Sequence, residues 1–207
     1  MYRKDYKRYV GGNWEWVQMF QLDYLHQKCR KFSNDKRFLD LGCGSLRLGS
    51  LLIPLLDEGK YIGLDYNQHF VELGIEKELS PEIIEEKKPQ FIFNDNFDLS
   101  EIDGKIDFVW VYQVFIHVND EKVRTALKNI AGKLTQDGVS YATFTRHIAK
   151  NQPKSDYVYD HTQRTFYRSL DVIEQMYSDA GMSMVHVADT PKGAFIIKGE
   201  LKNEERT

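Results

Sequence analysis

Short unbroken apolar runs alternate along the chain with longer stretches in which apolar residues recur every three or four positions, as when strands and helices take turns. From Trp16 to Lys31, Val17, Phe20, Leu22, Leu25 and Cys29 fall at roughly helical intervals and predict a helix that covers a sheet and ends before Ser33. A short apolar run ends in Asp40 and is followed by a turn holding Gly42 and Gly44. Leu46, Leu48, Leu51, Leu52 and Leu55 follow in helical spacing, so the order is strand, glycine loop, helix. A second strand, Lys60 to Leu64, ends on Asp65. Asn67 caps a helix carrying Phe70, Val71, Leu73 and Ile75, and Ser80-Pro81 opens a shorter one through Lys87. Phe91 to Phe93 is a brief strand that closes on Asn94-Asp95-Asn96-Phe97.

Ile106 to Tyr112 is almost continuously apolar, as expected of a strand covered on both faces. Gln113 to His117 follow, and Asn119 or Asp120 caps a helix with Val123, Leu127, Ile130 and Leu134 on one face. Gly138 closes that region, and Val139 to Thr145 alternate as a fifth strand. Residues 146–168 have no clean period. Their four aromatic residues, two histidines and three arginines are poorly suited to disorder, and long connections of this kind are usually functional. Ser169 caps a helix with Val172, Ile173, Met176 and Tyr177 that stops at Gly181. The last two strands, Met184 to Ala188 and Ala194 to Lys198, are joined by five residues, too few for a parallel crossover, so they form an antiparallel hairpin.

The expected fold class is α/β: a single doubly wound, seven-stranded, mostly parallel sheet with a C-terminal antiparallel hairpin and helices on both faces. Residues 1–207 make one domain, in which 1–35 form an N-terminal arm and helix and 146–168 a substrate-side insertion. Composition adds exclusions. Hydrophobic residues at 42% and charged residues at 29% are ordinary for a globular chain, and a net charge of −3 gives no field to hold nucleic acid. Cys29 and Cys43 make neither a disulfide framework nor a metal-ligand spacing, so no metal is expected. No apolar run approaches a membrane span and no hydrophobic signal region follows the basic start, which points to a cytoplasmic chain without a membrane partner. Nothing in the sequence signals an oligomeric state.

Glycines at 42 and 44 let a backbone approach a ligand closely, and Asp65, twenty-one residues after Gly44, stands where βαβ units grip ribose hydroxyls. Both a nicotinamide dinucleotide and another nucleoside cofactor fit that much. The third glycine of the dinucleotide pattern is replaced by Arg47, which disfavours the dinucleotide, as does the terminal hairpin. Asp40-Leu-Gly-Cys-Gly-Ser45 resembles the first motif of the class I S-adenosylmethionine (SAM)-dependent methyltransferases, and Gly42 to Pro54 is similar to a bacterial small-molecule subset of that family.

The resemblance implies SAM as cofactor, held by Asp40, Gly42, Cys43, Gly44, Asp65 and Tyr66. It also implies that Asp95, Asn96 and Phe97 meet the adenine, and that Gln113, in the loop after the fourth strand, meets the methionine part. It places the N-terminal arm over the ligands, which makes Tyr9, Gly12 and Trp14 candidates for a lid and for acceptor contact. Methyl transfer from a sulfonium needs an acceptor held in line and, for a hydroxyl acceptor, a base. Among six histidines, His117, His147 and His161 follow the carboxyl ends of strands four and five, where ligands bind in open α/β sheets. His117 is the first choice of base, and Arg146, Arg164 and Tyr167 are candidate acceptor contacts. The expected reaction is methylation of an oxygen, with nitrogen as second choice, on a small polar metabolite; a sugar or phosphorylated compound suits the cationic and aromatic insertion. No Asn/Asp-Pro-Pro-aromatic motif, carboxylate cluster or thiol set points to nucleic-acid, catechol or arsenic chemistry. The remaining alternatives are a nicotinamide-dependent oxidoreductase and a non-catalytic SAM-fold binding protein.

Overall fold

The structure, a computed structural model, describes residues 6–11, 13–146, 157–162, 164–190 and 194–202. The chain forms two compact units, Met1–Asp95 and Asn96–Thr207.

In the first unit, α1 (Tyr6–Tyr9) and α2 (Trp14–Lys28) precede β1 (Phe38–Leu41), α3 (Gly49–Leu55), β2 (Tyr61–Asp65), α4 (Gln68–Glu78), α5 (Pro81–Lys87) and β3 (Gln90–Phe93). β2 lies between β1 and β3 and is parallel to both. Every residue of β1 and β2 is buried, which is why their sequences do not alternate and are apolar apart from Gly63 and the carboxylates Asp40 and Asp65. The predicted caps at Asn67 and Ser80 are present: their side chains accept from Phe70 N and Ile83 N.

α3 starts at Gly49, later than the leucine spacing predicts, because Leu46 sits at φ 62° in the turn before it. Leu46 instead plugs the turn from below, in a cluster with Cys43 and Val71. α4 closes over that plug, and it comes so near that a Cβ on Gly74 would stand 2.5 Å from the Ser45 carbonyl oxygen.

The second unit carries β4 (Ile106–Val111), a 3-10 turn (Phe115–His117), α6 (Asp120–Lys133), β5 (Leu134–Arg146), β6 (Tyr157–Asp160), β7 (Thr165–Arg168), α7 (Leu170–Asp179), β8 (Met182–Asp189) and β9 (Ala194–Leu201). Asn119 and Ser169 cap α6 and α7, and the buried faces are those predicted: Val123, Leu127 and Ile130 on α6, Ile173, Met176 and Tyr177 on α7. β5 begins at Leu134 directly after α6, earlier than Gly138 suggests.

β8 and β9 are the expected antiparallel hairpin, and β9 runs antiparallel to β5 from Val139 to Thr145. β4 pairs in parallel with β5 as far as Ala142, so β4 and β9 occupy its two edges. β7 then pairs in parallel with β5 at Thr145 and Arg146, where β9 still holds its own edge. β7 must therefore continue the edge that β4 leaves. β6 and β7 form an antiparallel pair inside the stretch that showed no period, so nine strands are found among the described residues where seven were expected. The fold class is mixed α/β, with mostly parallel strands, antiparallel C-terminal strands and helices around them.

A methyl group at Gly74 has nowhere to go except into backbone. Gly74→Ala should destabilise the protein by about 1–3 kcal/mol, read as a lower urea midpoint, with the glycine loop displaced.

Candidate active site

In the first unit the end of β1 is tied to the end of β2 before any ligand is considered. Gly42 N and Cys43 N both donate to the Leu64 carbonyl, at 2.6 and 3.1 Å. Gly42 and Gly44 have positive φ, which makes this tight return possible. Gly44 N donates to Asp65 Oδ2 at 2.8 Å, and Asn67 N donates to Asp65 Oδ1 at 2.9 Å. The carboxylate is thus fixed through both oxygens. Tyr66 beside it is exposed.

Asp40 lies beneath the loop, buried, and accepts from the Tyr61 hydroxyl at 2.9 Å. Burial pushes its carboxyl up to about 7; the Tyr61 hydrogen bond and Arg47 hold it down against this, while Asp65 adds to the rise. Tyr61 can reach Asp40 because Gly49 opens α3: a Cβ there would stand 2.6 Å from the Tyr61 hydroxyl oxygen. The close helix-to-strand approach that a dinucleotide loop makes at its third glycine is made here two residues later, a role the motif reading did not give Gly49. Burial raises the Cys43 thiol well above its ordinary value, which leaves it a small apolar filler.

Arg47 faces the arm. Its Nη1 donates to the carbonyls of Val10 (3.2 Å) and Gly11 (2.6 Å), and Ser45 Oγ donates to the Tyr6 carbonyl at 2.6 Å. Two side chains of the loop therefore hold the main chain of the arm. The Tyr6 hydroxyl bonds Glu78 on α4, and Lys7 pairs with the same carboxylate at 3.3 Å. Trp14 is buried edge-on to Tyr6 with Lys7 over its ring, so it packs the arm. The side chain of Tyr9, and Gly12, lie outside the described residues.

In the second unit Gln113 follows β4 at φ 61°, with its N–H donating to Thr143 Oγ1 at 2.7 Å. Its Nε2 is buried with no acceptor among the described residues. Phe97 is buried edge-on to Phe115, whereas Asp95, which closes the first unit, and Asn96 are exposed.

His117 ends the 3-10 turn with an exposed ring, and its Nδ1 lies 2.9 Å from the carbonyl oxygen of Arg164 in the β6–β7 turn. The same hairpin is held by Arg168, which is fully buried: Nε bonds Asp120 Oδ1 at 2.8 Å, Nη1 the Phe115 carbonyl at 2.8 Å and Nη2 the Val118 carbonyl at 2.6 Å. Asp120 is thus spent on Arg168 and does not cap α6. Sequence reading missed Arg168 because a cation in an aperiodic segment carries no sign of burial. His161 is exposed, edge-on to Tyr159, and Tyr167 is half-buried on β7. His147 and the side chain of Arg146 lie outside the described residues.

A family model described as a methyltransferase domain matches residues 39–140, from β1 through the glycine loop and β4 into β5. Among solved structures, magnesium protoporphyrin IX methyltransferase from Synechocystis, with bound SAM, superposes with a TM-score of 0.63 at 17% identity, covering 91% of this chain and 79% of that one. An S-adenosylmethionine-dependent methyltransferase from Clostridium acetobutylicum gives 0.65 at 14% identity over 96% of each chain. The glycopeptide N-methyltransferase MtfA gives 0.67 at 9% identity over 92% of this chain and 91% of that one. No curated protein sequence matches. With its glycine loop and its reversed last strand, the fold is that of the class I, Rossmann-like, SAM-dependent methyltransferases, and the match over residues 39–140 indicates a methyltransferase enzyme. The nicotinamide alternative falls away with that assignment.

The buried Asp40 makes stability depend on pH. Its folded-state value of about 7 lies above its ordinary 3.8, so the folded protein holds a proton that the unfolded chain has released. Its contribution is complete below the ordinary value and is lost as pH rises through the folded one. Measured by urea unfolding, the wild type should lose stability relative to Asp40→Asn by about 1.4 kcal/mol per pH unit between roughly pH 4 and 7, and no further above that.

Proposed function

We propose that this enzyme transfers the methyl group of SAM to a hydroxyl oxygen of a small polar metabolite, with His117 as the base. The observation that carries the proposal is the exposed imidazole of His117, placed directly after β4 and fixed through Nδ1 by the Arg164 carbonyl. In the class, the loop after the fourth strand touches the methionine part of the cofactor, and open α/β sheets bind ligands beyond the carboxyl ends of their strands. The sulfonium is already an excellent leaving group, so the protein supplies alignment and removes one proton.

For the cofactor, Asp65 takes the ribose hydroxyls, Gly42 and Gly44 let the loop backbone come within contact distance of the ligand, and Asp95 accepts from the adenine amine. Gln113 Nε2 offers its unused donor to a ligand oxygen. Asp40 acts from beneath: through Tyr61 it sets the floor of the loop and touches no ligand. On the acceptor side, the exposed Arg164 and His161 of the β6–β7 turn, together with Tyr167, form a cationic and aromatic wall that suits an anionic or sugar-like metabolite. Neighbours in structure act on a porphyrin and on a glycopeptide nitrogen, so an amine acceptor is the second reading. No helix among the described residues is long and apolar enough to cross a membrane, and the free, buried cysteines fit a reducing, cytoplasmic setting.

Two measurements test this. Asp65→Ala should weaken SAM binding tenfold or more in a calorimetric titration, as expected for loss of a charge-assisted hydrogen bond worth about 1.5–3 kcal/mol; an unchanged affinity would remove Asp65 from the site. In a panel of hydroxyl and amine acceptors, His117→Ala should lower kcat with the hydroxyl compounds by roughly a hundredfold at unchanged SAM affinity. A variant that keeps its kcat would move the base to His161 or His147, or leave alignment alone to drive the transfer.

A further inference from the structure

The hydrogen bond between His117 and the β6–β7 turn has a chemical direction. A carbonyl oxygen can only accept, so the contact between His117 Nδ1 and Arg164 O requires the proton to sit on Nδ1. A neutral imidazole has one N–H, and Nε2 must then carry the lone pair. Free histidine side chains favour the opposite form, with the proton on Nε2. We propose that Arg164, through its main-chain oxygen, is a positioning residue for methyl transfer: it holds His117 in the Nδ1–H tautomer and presents Nε2 as the proton acceptor. This rests on the reading of His117 as the base.

The surroundings make that carbonyl a fixed object. Arg164 lies at φ 51°, a left-handed conformation that a non-glycine residue adopts only when its neighbours hold it. Asp160 Oδ1 accepts from Thr162 N at 2.8 Å within the same turn, and Thr145 Oγ1 on β5 donates to the Phe166 carbonyl at 2.7 Å. Arg168 binds the two carbonyls that flank His117 along the chain, those of Phe115 and Val118. The 3-10 turn and the hairpin are therefore joined on both sides of the imidazole, and the ring is left little freedom to rotate.

The proton balance is simple. As the methyl carbon leaves the sulfonium sulfur and bonds to the acceptor oxygen, the electron pair of the C–S bond stays on sulfur and gives the neutral thioether. The acceptor's hydroxyl proton passes to Nε2. The imidazolium so formed has N–H groups at both positions, and the one on Nδ1 already points at a carbonyl oxygen, where its developing charge is stabilised. The Arg164 oxygen thus serves twice, first by choosing the tautomer and then by solvating the cation.

The test reads the tautomer directly. In the full-length, nitrogen-15-labelled protein, at pH values where the imidazole resonances have stopped moving, long-range proton–nitrogen correlations should show His117 in the Nδ1–H form; the peaks are assigned by their loss in His117→Gln. Finding the Nε2–H form, or the mixture of free histidine, would overturn the proposal. Arg164→Gly keeps a residue content with positive φ and should keep the tautomer. Arg164→Val, whose branched Cβ resists that conformation, should return His117 towards the Nε2–H form; an unaltered tautomer in the valine variant would mean that the carbonyl does not choose it. With a hydroxyl compound from the acceptor panel, kcat of Arg164→Val should fall at least tenfold below that of Arg164→Gly, at equal SAM affinity. Loss of the Arg164 side chain is common to both variants, so an acceptor-binding role for the guanidinium would raise KM in both and leave this ratio untouched. If His117 shows the Nδ1–H form but His117→Ala keeps its kcat, the base reading fails, and the positioning role falls with it while the hydrogen bond stands as a strut.

Discussion

A guanidinium with no exposed surface is the constraint on which the second unit depends. Removing Arg168 from water costs several kcal/mol, and that cost is tolerable only if every face of the fork meets a partner. Asp120 supplies the charge through Nε, and the carbonyls of Phe115 and Val118 accept from the other two nitrogens. These partners lie on the segment from the 3-10 turn to the start of α6, so satisfying one side chain sets the path of the chain after β4. It also sets where β7 can lie, since Arg168 must be within reach. The Arg168 fork passes over the Phe166 ring, whose face is a suitable cover for a cation.

The first unit solves a different problem, how to hold a loop of positive-φ residues still without filling the space a ligand needs. The solution works from below and from the sides. Below, Tyr61 donates to Asp40 in a buried hydrogen bond that Gly49 leaves room for, and Cys43, Leu46 and Val71 pack beside it. At the side, Asp65 takes the Gly44 amide. Ser45 and Arg47 reach outward and bind carbonyls of the arm. The same six-residue turn is thereby anchored to a strand, to a helix and to the N-terminal segment, each through a different kind of contact.

How much of this the sequence revealed depended on whether the signal was local. Strands β1, β2 and β4 were legible because burial on both faces demands runs that are mostly apolar and do not alternate. Caps at Asn67, Ser80, Asn119 and Ser169 were legible because each rests on a side chain and an amide three residues on. The glycine loop and the terminal hairpin were read from spacing alone. β6 and β7 were not, because they are short, their sequences mix polar and charged residues with aromatic ones, and the cation that ought to be outside, Arg168, is fully buried. Leu46 was misplaced in a helix for the same reason: its leucine spacing is right, but its backbone obeys the turn. The pairing of Asp120 with Arg168 spans forty-eight positions, and no short-range rule could have found it.

The point where β5 changes neighbours has an evolutionary reading. β4 gives up its edge of β5 after Ala142, and β7 takes that edge only at Thr145 and Arg146. The β6–β7 hairpin is therefore an outgrowth of an edge, joined to the rest of the sheet at two residue pairs of β5, and a change in it leaves the pairing of β4 and β9 with β5 in place. A lineage could lengthen, shorten or rewrite this segment while the first unit stayed as it is. On the roles proposed above for the two units, diversification of acceptors becomes a matter of exchanging a graft, and inheritance of the cofactor a matter of leaving the rootstock alone.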